Sequence, residues 1–429
     1  VRMTWGKAFL NWTRDPQEAL DLMIDLNHRL ALDGSDANSY GGLLWCLGLF
    51  DRPFKPERPV IGMLRPPYTK DHAQRLDMPA YIAKVKGPVT GEPLKIAVVG
   101  AGVSGLFAAR ALMDHGHQVQ VFERNGMPGG RTATITGPNL AFDTGTQYFT
   151  VRDDRFARYV RSWEADGIVE RWEGKVVIAK AGSLADENRK PERWVGVPSM
   201  VVVPEHLSTG ISVQFNTAIV STRRNKGRWQ LTDDLQNVYG LYDVLIVAVP
   251  PPGARGLVET SPLLCARLAG IEMLPCLAMM ASFEGPLDVP FDAAFIHDSR
   301  LKWAARNNSK PGRDTSECWV FHFNAGWSAT NADDNDESLW DSTMDAFSAD
   351  TGCGPIESTY LRSKYWKYAV AARPLNAGSI WDADLKIGLC GDWCHMSRLE
   401  GAALSGMAMA GRILNSKAGM RPDLKDPDP

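Results

Sequence analysis

The residues with the clearest chemical meaning are three glycines, Gly100, Gly102 and Gly105, which have the spacing G-x-G-x-x-G. In such a motif the first glycine permits a tight turn, the second lets the backbone approach a phosphate, and the third lets a helix pack closely on a strand. Backbone amides at the start of that helix attract phosphate oxygens. The motif therefore predicts a site for the pyrophosphate of a dinucleotide, with Val103 and Ser104 in the same turn.

An acidic residue at the end of the next predicted strand supports this interpretation. Glu123 follows Gly105 by eighteen residues, where a carboxylate can accept hydrogen bonds from both ribose hydroxyls of an adenosine. Arg124 is placed in the same predicted site. The alternative is a tight turn followed by a surface glutamate.

Two further glycine-rich segments favour FAD over NAD as the dinucleotide. ERNGMPGGRTATI and FDTGTQYFT follow Glu123, and IGLCGDWCHMSRLEGAALSG lies near the C-terminus. In the last segment, an aspartate could accept hydrogen bonds from ribityl hydroxyls, and a helix N-terminus could stabilise negative charge on the flavin. Each segment alone is also typical of ordinary turns and packed helices. The additional residues predicted to bind FAD are Gly130, Arg131, Gly145, Ile219, Gly391, Asp392, Gly401, Ala402 and Ala403.

The elements that must position these residues predict an α/β fold. KIAVVG, QVQVFER, DVLIVAVP and LKIGLCGDW are typical of buried strands, and GLFAARALMDHG is typical of a helix. We predict a Rossmann-like FAD-binding domain interleaved with a sheet-bearing substrate domain, preceded by a short helical segment. The predicted bounds are 1–77 for the helical segment, 78–93 for a linker, 94–150, 201–254 and 375–417 for the FAD-binding domain, 151–200 and 255–374 for the substrate domain, and 418–429 for a disordered tail.

Composition narrows the class of protein. The chain has 429 residues and a net charge of −3, which gives no global electrostatic reason to expect nucleic acid or a membrane surface as a partner. Its seven cysteines are scattered without a CxxC pair, which argues against a metal site and favours a reducing compartment. No apolar run is long enough to span a bilayer. We expect a cytoplasmic protein, or an organellar one if the true N-terminus is missing.

Several longer segments resemble the renalase-like FAD-dependent oxidoreductases, within the monoamine oxidase fold group. They are DTGTQYFTVRDDRF, RWVGVPSM, LKWAARNNSKPGR, WKYA and CGDWCHMSRLEGAALSG, and the resemblance spans residues 94–415. It implies noncovalent FAD and hydride transfer from dihydro isomers of NAD(P)H to flavin N5, with O2 as acceptor and H2O2 as product. A flavin amine oxidase and a noncatalytic flavin-binding protein are the alternatives. Two departures, Lys364 where the family often has His and Ser199 where it tends to have Gly, leave the substrate open.

Hydride transfer to a flavin requires alignment more than a side-chain acid or base. Aromatic side chains could sandwich a flat nicotinamide ring, and Arg306 or Arg152 could pair with its phosphates. Each aromatic residue could equally belong to the core, and His297, His322 and His395 are expected to be structural or surface residues. The pocket candidates are Gln147, Tyr148, Phe149, Trp303, Arg306, Trp366 and Tyr368.

The first 75 residues resemble the C-terminal end of class II cyclobutane-dimer photolyases. The segments that carry this resemblance are WGKAFLNWT, LDGSDANSYGGLLW and ERPVIGMLR. Asn38 matches an asparagine that faces flavin N5 in that family. The antenna domain and most flavin-binding helices of a photolyase are missing, so we expect no DNA repair by this chain alone. The segment is interpreted as part of a truncated photolyase–oxidoreductase fusion linked to DNA photorepair, as a remnant or as a gene-prediction artefact.

Overall fold

The computed structural model forms two compact units, residues 1–86 and 87–429. Most of the predicted linker 78–93 and all of the predicted tail 418–429 lie outside the described residues. The ranges that the structure describes are 2–13, 15–30, 36–65, 92–313, 315–354 and 356–415.

The N-terminal unit is helical, in keeping with its sequence pattern. Asp15 caps the second helix, because its Oδ1 accepts a hydrogen bond from the backbone N–H of Glu18 at 2.8 Å. A small apolar core, including Met23, Leu43 and Cys46, joins the helices. Its helices are α1 (Arg2–Trp12), α2 (Pro16–Leu30) and α3 (Ala37–Cys46).

A six-stranded sheet forms the centre of the second unit. Its order is β19-β20-β13-β1-β2-β9, and every pairing is parallel except that of the edge strand β19. The central strands are mainly apolar and buried, because helices or loops cover both faces of a parallel sheet. The strands are β1 (Lys95–Val99), β2 (Gln118–Phe122), β9 (Ser212–Gln214), β13 (Val244–Val247), β19 (Ile380–Asp382) and β20 (Ile387–Leu389).

Helices cover this sheet on both faces. α4 (Val103–Asp114) packs directly on α11 (Leu399–Leu414). A Cβ on Gly406 would lie 2.3 Å from the carbonyl oxygen of Ser104, so only glycine permits this approach of the two helices. The remaining helices here are α6 (Val202–Ser208), α7 (Pro251–Ala254) and α8 (Pro262–Ala269).

A seven-stranded sheet forms a second layer of structure in the same unit. Its order is β18-β14-β17-β16-β15-β6-β7, antiparallel except between β15 and β6. One face packs on α10 (Asp336–Thr351), and α9 (Ala325–Thr330) lies beside β14. The strands are β6 (Val176–Lys180), β7 (Ser183–Asp186), β14 (Met273–Phe283), β15 (Ala293–Ile296), β16 (Leu301–Arg306), β17 (Glu317–Phe323) and β18 (Tyr360–Ala371).

Smaller elements connect the two large sheets. They are a three-stranded antiparallel sheet, two antiparallel strand pairs and one helix. Their bounds are β10 (Ile219–Asn225), β11 (Arg228–Asp233), β12 (Val238–Tyr242), β3 (Thr134–Gly137), β4 (Leu140–Asp143), β5 (Val169–Arg171), β8 (Trp194–Gly196) and α5 (Asp154–Ala165).

The predicted fold class is confirmed: a Rossmann-like parallel sheet and a separate, mainly antiparallel sheet occur in one chain. The predicted domain bounds stay a prediction. None of the helices within the described ranges combines the length and apolar character needed to cross a membrane.

The contact of α10 with the seven-stranded sheet depends on a buried aromatic cluster. Phe347 is fully buried, and its ring centroid lies 5.2 Å from that of Phe321 and 5.7 Å from that of Trp319. We expect Phe347→Ala to lower the free energy of unfolding by about 3–5 kcal/mol, because it removes this contact and leaves a cavity. Denaturant unfolding measures the change. Leu235→Ala, at a residue that is 73% exposed, serves as the control and should change stability little.

Candidate cofactor and substrate site

The first glycine turn links β1 to α4. Gly100 has φ +107°, and a Cβ there would lie 2.8 Å from the carbonyl oxygen of Ala248. A Cβ on Gly105 would lie only 2.1 Å from the carbonyl oxygen of Gly100. Gly102 precedes Val103 at the start of α4, and among the described residues other than its chain neighbours no atom lies within 4 Å of the place its Cβ would occupy. Two glycines therefore serve packing, and Gly102 leaves free space beside the helix N-terminus.

Glu123 is buried directly after β2 and contacts this turn. Its Oε2 accepts a hydrogen bond from the backbone N–H of Ala101 at 2.9 Å. Its Oε1 accepts from the backbone and side-chain nitrogens of Asn125 at 3.0 and 2.7 Å. The neighbouring Arg124 is exposed, and Ser104 is buried. The carboxylate therefore lies at the carboxyl edge of the sheet, next to the first glycine turn.

The second glycine turn packs against the first. The backbone N–H of Gly129 donates to the carbonyl oxygen of Ala101 at 2.9 Å. Gly130 has φ +56° and, like Gly102, no atom within 4 Å of its virtual Cβ. The two turns therefore form one glycine-lined surface.

Arg131 and Asp392 lie together, although the sequence suggested separate roles for them. The guanidinium donates to both carboxylate oxygens at 2.6 and 2.9 Å, and also to the carbonyl oxygen of Ala369 at 2.9 Å. The preceding residue, Gly391, donates its N–H to Ser405 of α11 at 2.9 Å. This ion pair joins the second glycine turn to the segment before α11.

The start of α11 is tightly packed. A Cβ on Gly401 would lie 2.0 Å from the carbonyl oxygen of Met396, and Ala403 is fully buried, while Ala402 is partly buried. Glu400 was not among the residues predicted from the sequence. This buried side chain accepts hydrogen bonds through Oε1 from the N–H groups of residues 152 and 153 at 2.7 and 2.8 Å.

A cavity of about 430 Å³ lies beside this region, against the seven-stranded sheet. It brings together three of the predicted pocket residues, Gln147, Tyr148 and Trp303. The ring of Trp303 lies 5.6 Å from that of Tyr148 and 4.7 Å from that of Phe295. The cavity is lined by Gly145, Gln147, Tyr148, Phe295, Ile296, His297, Lys302, Trp303 and His322.

Two other predicted pocket residues do not line this cavity. Phe149 is buried in the core, with its ring 5.9 Å from that of Phe156. Arg306 is held by Glu317 at 2.9 Å and by Asp292 at 3.4 Å, because it points to the side of β16 away from Trp303. Its guanidinium therefore has carboxylate partners within the protein.

Three further candidates lie outside the cavity wall. Trp366 donates its indole N–H to the carbonyl oxygen of Thr144 at 3.1 Å, and so contacts the loop before Gly145. Tyr368 lies on the same strand, partly buried, and the side chain of Arg152 is exposed. Ile219, predicted to contact FAD, begins β10 and packs against the apolar core of the six-stranded sheet.

A buried charge cluster lies behind the cavity. Asp143 is fully buried and accepts hydrogen bonds from Lys310 at 3.1 Å and from Arg313 at 2.8 Å. Burial opposes its ionisation, but the two cations lower the pKa of Asp143 to about 2. Burial lowers the pKa of Lys310 to about 8, against the opposing effect of Asp143. All three side chains are therefore charged at neutral pH, with a net charge of about +1.

This cluster fixes the loop that follows β4. Lys310 donates to the Oε1 of Gln147 at 3.2 Å, and the Nε2 of Gln147 donates to the carbonyl oxygen of Asp143. His322 forms a hydrogen bond with the carbonyl oxygen of Thr144 at 3.1 Å. Burial and the charges of Lys302 and Lys310 lower the pKa of His322 to about 3, so its imidazole is neutral at neutral pH.

Three polar residues of the cavity wall were not predicted to line it. His297 and His322 were expected to be structural or surface residues, and Lys302 was not considered although it directly precedes Trp303. His322 does have a structural hydrogen bond, but both histidines also line the cavity. The signal that could have identified Lys302 is its place within the segment LKWAAR.

Comparison with known proteins supports the Rossmann-like part. Residues 98–163 match the NAD(P)-binding Rossmann-like domain family. Mitochondrial protoporphyrinogen oxidase of Nicotiana tabacum is 28% identical over 148 residues, which are 34% of this chain and 28% of that protein. Deoxyribodipyrimidine photo-lyase of Methanothermobacter thermautotrophicus is 34% identical over 87 residues, 20% of this chain and 19% of that protein. The chain thus spans about a fifth of the length of that photo-lyase.

Solved structures share the fold over a longer range. Cyclohexylamine oxidase from Brevibacterium oxydans has a TM-score of 0.63 and 14% identity, and the alignment covers 75% of this chain and 98% of that one. A putative protoporphyrinogen oxidase from Exiguobacterium has a TM-score of 0.61 and 13% identity, with 75% and 98% coverage. At these identities the similarity establishes a common fold.

Gly105 is tightly packed and Gly102 has free space beside it, so an added methyl group should affect the protein differently at the two positions. Gly105→Ala forces a contact with the Gly100 carbonyl and should lower the free energy of unfolding by about 1–3 kcal/mol. Gly102→Ala has room for its Cβ and should change stability by less than about 1 kcal/mol. If the space beside Gly102 holds a pyrophosphate, that variant should instead bind FAD about tenfold more weakly. Thermal unfolding and FAD titration of both variants measure the two effects, and equal loss of stability would contradict the assignment.

The buried cluster predicts a pH-dependent stability difference. Asp143→Asn leaves two buried cations without a counter-charge and should lower the free energy of unfolding at pH 7 by about 3–5 kcal/mol. Because the folded pKa of Asp143 is about 2, below its ordinary value of 3.8, the wild type loses this stabilisation as the pH falls from about 4 to 2. The difference between the two melting temperatures should therefore narrow over that range. A difference that stays constant down to pH 2 would contradict the cluster.

Proposed function

We propose that the chain is an FAD-dependent oxidoreductase that binds FAD noncovalently. The observation that carries this proposal is the juxtaposition of two glycine turns, through the Gly129–Ala101 hydrogen bond, with buried Glu123 beside them. The space next to Gly102 and Gly130 suits an extended pyrophosphate, and the amides at the start of α4 supply partial positive charge. Glu123 would hold the adenosine ribose.

Noncovalent attachment agrees with the state of the nearby thiols. Cys390 and Cys394 lie on either side of Asp392 in the sequence and are both fully buried. Burial raises the pKa of Cys390 to about 12 and that of Cys394 well above its usual range. Both thiols are therefore protonated and poor nucleophiles toward a flavin.

We infer hydride transfer from dihydronicotinamide nucleotide isomers as the reaction. Bound FAD would supply the hydride acceptor, with O2 as the final acceptor and H2O2 as the product. Tyr148, Trp303 and Phe295 offer an aromatic wall for a flat ring, and Gln147 offers an amide whose orientation Lys310 fixes. Alignment of the ring is the main requirement of this step. The reaction does not require His322 to act as an acid or a base.

Oxidation of an amine is the alternative reaction within the same fold. The name of cyclohexylamine oxidase, a structure with this fold, gives this alternative its support. We also propose that the protein is located in the cytoplasm.

A second proposal concerns the helical N-terminal unit, and the photo-lyase similarity favours it. Photo-lyases from four organisms are 34–46% identical to this chain over 66–91 residues. We propose that the unit derives from a photolyase fused to an oxidoreductase, with Asn38 exposed in the first turn of α3. Light-dependent repair of cyclobutane dimers by the purified chain would support a repair role for the unit. If no repair occurred, the repair role would be contradicted for this chain.

The reaction is tested with the purified, FAD-loaded chain under anaerobic conditions. Chemically reduced NAD, which contains the off-pathway isomers, should bleach the visible flavin band rapidly, because its dihydropyridine ring donates a hydride to the flavin. Ordinary NADH and a panel of amines should not. Stopped-flow absorbance measures the rates, and admission of air should restore the band with formation of H2O2.

Bleaching by amines alone would contradict the proposed substrate and support amine oxidation. An oxidised flavin that no reductant changes would contradict the proposed enzyme activity itself. FAD titration of the apoprotein, read separately, tests the cofactor assignment.

A further inference from the structure

The wall of the cavity carries a lysine and, among the described residues, no carboxylate. Lys302 lines the cavity beside the imidazoles of His297 and His322, and no Asp or Glu of the described residues does. Lys302 lies on β16 with an exposed side chain, beside the thiol of Cys276. None of the ion pairs within the described ranges includes Lys302, so its ammonium group is available to a ligand.

Two carboxylates of this region are paired with other cations. Asp298, next to His297 in the sequence, pairs with Lys180 at 2.7 Å. Behind the wall, Asp143 faces both Lys310 and Arg313. The cavity is therefore under the influence of Lys302 and of about one further uncompensated positive charge, which is buried and poorly screened.

His322 reports the effect of these charges within the protein. Its protonation is disfavoured first by burial and then by Lys302 and Lys310, although its hydrogen bond to Thr144 favours the charged form. A protonated amine that entered the same cavity would meet the same repulsion. An anion would instead be attracted.

We propose that Lys302 sets the charge selectivity of this cavity, which accepts a flat ring that carries an anionic group and rejects protonated amines. Tyr148, Trp303 and Phe295 contact the ring, and Lys302 contacts the anion, a role that the sequence had suggested for Arg306 or Arg152. This inference rests on the proposed function, because it concerns the substrate of that reaction. It distinguishes a nucleotide substrate from an amine by charge.

Equilibrium binding of ligands that cannot react tests this selectivity. Isothermal titration calorimetry of the full, FAD-loaded chain at pH 7 compares benzoate, phenyl phosphate, benzamide and benzylammonium, which share one ring and differ in charge. We expect both anions to bind more tightly than benzamide, and benzylammonium to bind most weakly. The ratio of benzoate to phenyl phosphate affinity shows whether a carboxylate or a phosphate fits better.

Substitution of the lysine then identifies the residue responsible. Lys302→Gln should weaken the binding of both anions about tenfold and leave benzamide unchanged. Lys302→Glu should make benzylammonium bind more tightly than benzoate. Lys175→Gln, at an exposed lysine of the same unit that does not line the cavity, is the matched control and should leave all four affinities unchanged.

Equal affinity for benzoate and benzylammonium in the wild type, or unchanged anion binding in Lys302→Gln, would overturn the inference. The inference would also be overturned if none of the four ligands bound. The outcome is separable from that of the proposed reaction, because these ligands transfer no hydride. Flavin reduction could fail with charge selectivity intact, and selectivity could fail while flavin reduction succeeds.

Discussion

The buried contact of Asp143 with Lys310 and Arg313 is the interaction on which the site depends. Asp143 ends β4, which follows the second glycine turn, whereas Lys310 and Arg313 belong to the loop between β16 and β17 of the seven-stranded sheet. The cluster thus joins the segment that follows the glycine turns to the sheet that carries Trp303 and Lys302. The cavity lies between these parts, and its shape follows from this contact.

Stability alone does not explain such a cluster. The desolvation of three buried charges offsets much of the free energy gained from their attraction, and apolar replacements of similar volume are often equally stable. Its value here is geometric. Lys310 donates hydrogen bonds to Asp143, Gln147 and the Oδ1 of Asn307, at 3.1, 3.2 and 2.8 Å, and so holds the amide of Gln147 in a single orientation.

Local features of the sequence were predictable, and contacts between distant segments were not. The roles of Gly100 and Gly105 follow from steric rules within a few residues, so the sequence predicts the turn and the α/β fold. The pairing of Arg131 with Asp392 spans 261 residues and leaves no local signal. Arg306 does not line the cavity for a related reason: the side chains of β16 that meet the cavity depend on the packing of the whole sheet and on a register shift between Leu301 and Trp303.

The two sources of positive charge at the cavity differ in how solvent affects them. Lys302 is exposed, so salt screens its attraction for an anion. The net charge of the Asp143 cluster is fully buried, and salt screens it much less. A ligand that moves from the solvent into the cavity therefore meets first a salt-sensitive attraction at Lys302 and then a persistent one from Lys310 and Arg313. This order of contacts suits a substrate whose anionic group stays near the opening while its ring lies against Trp303 and Tyr148.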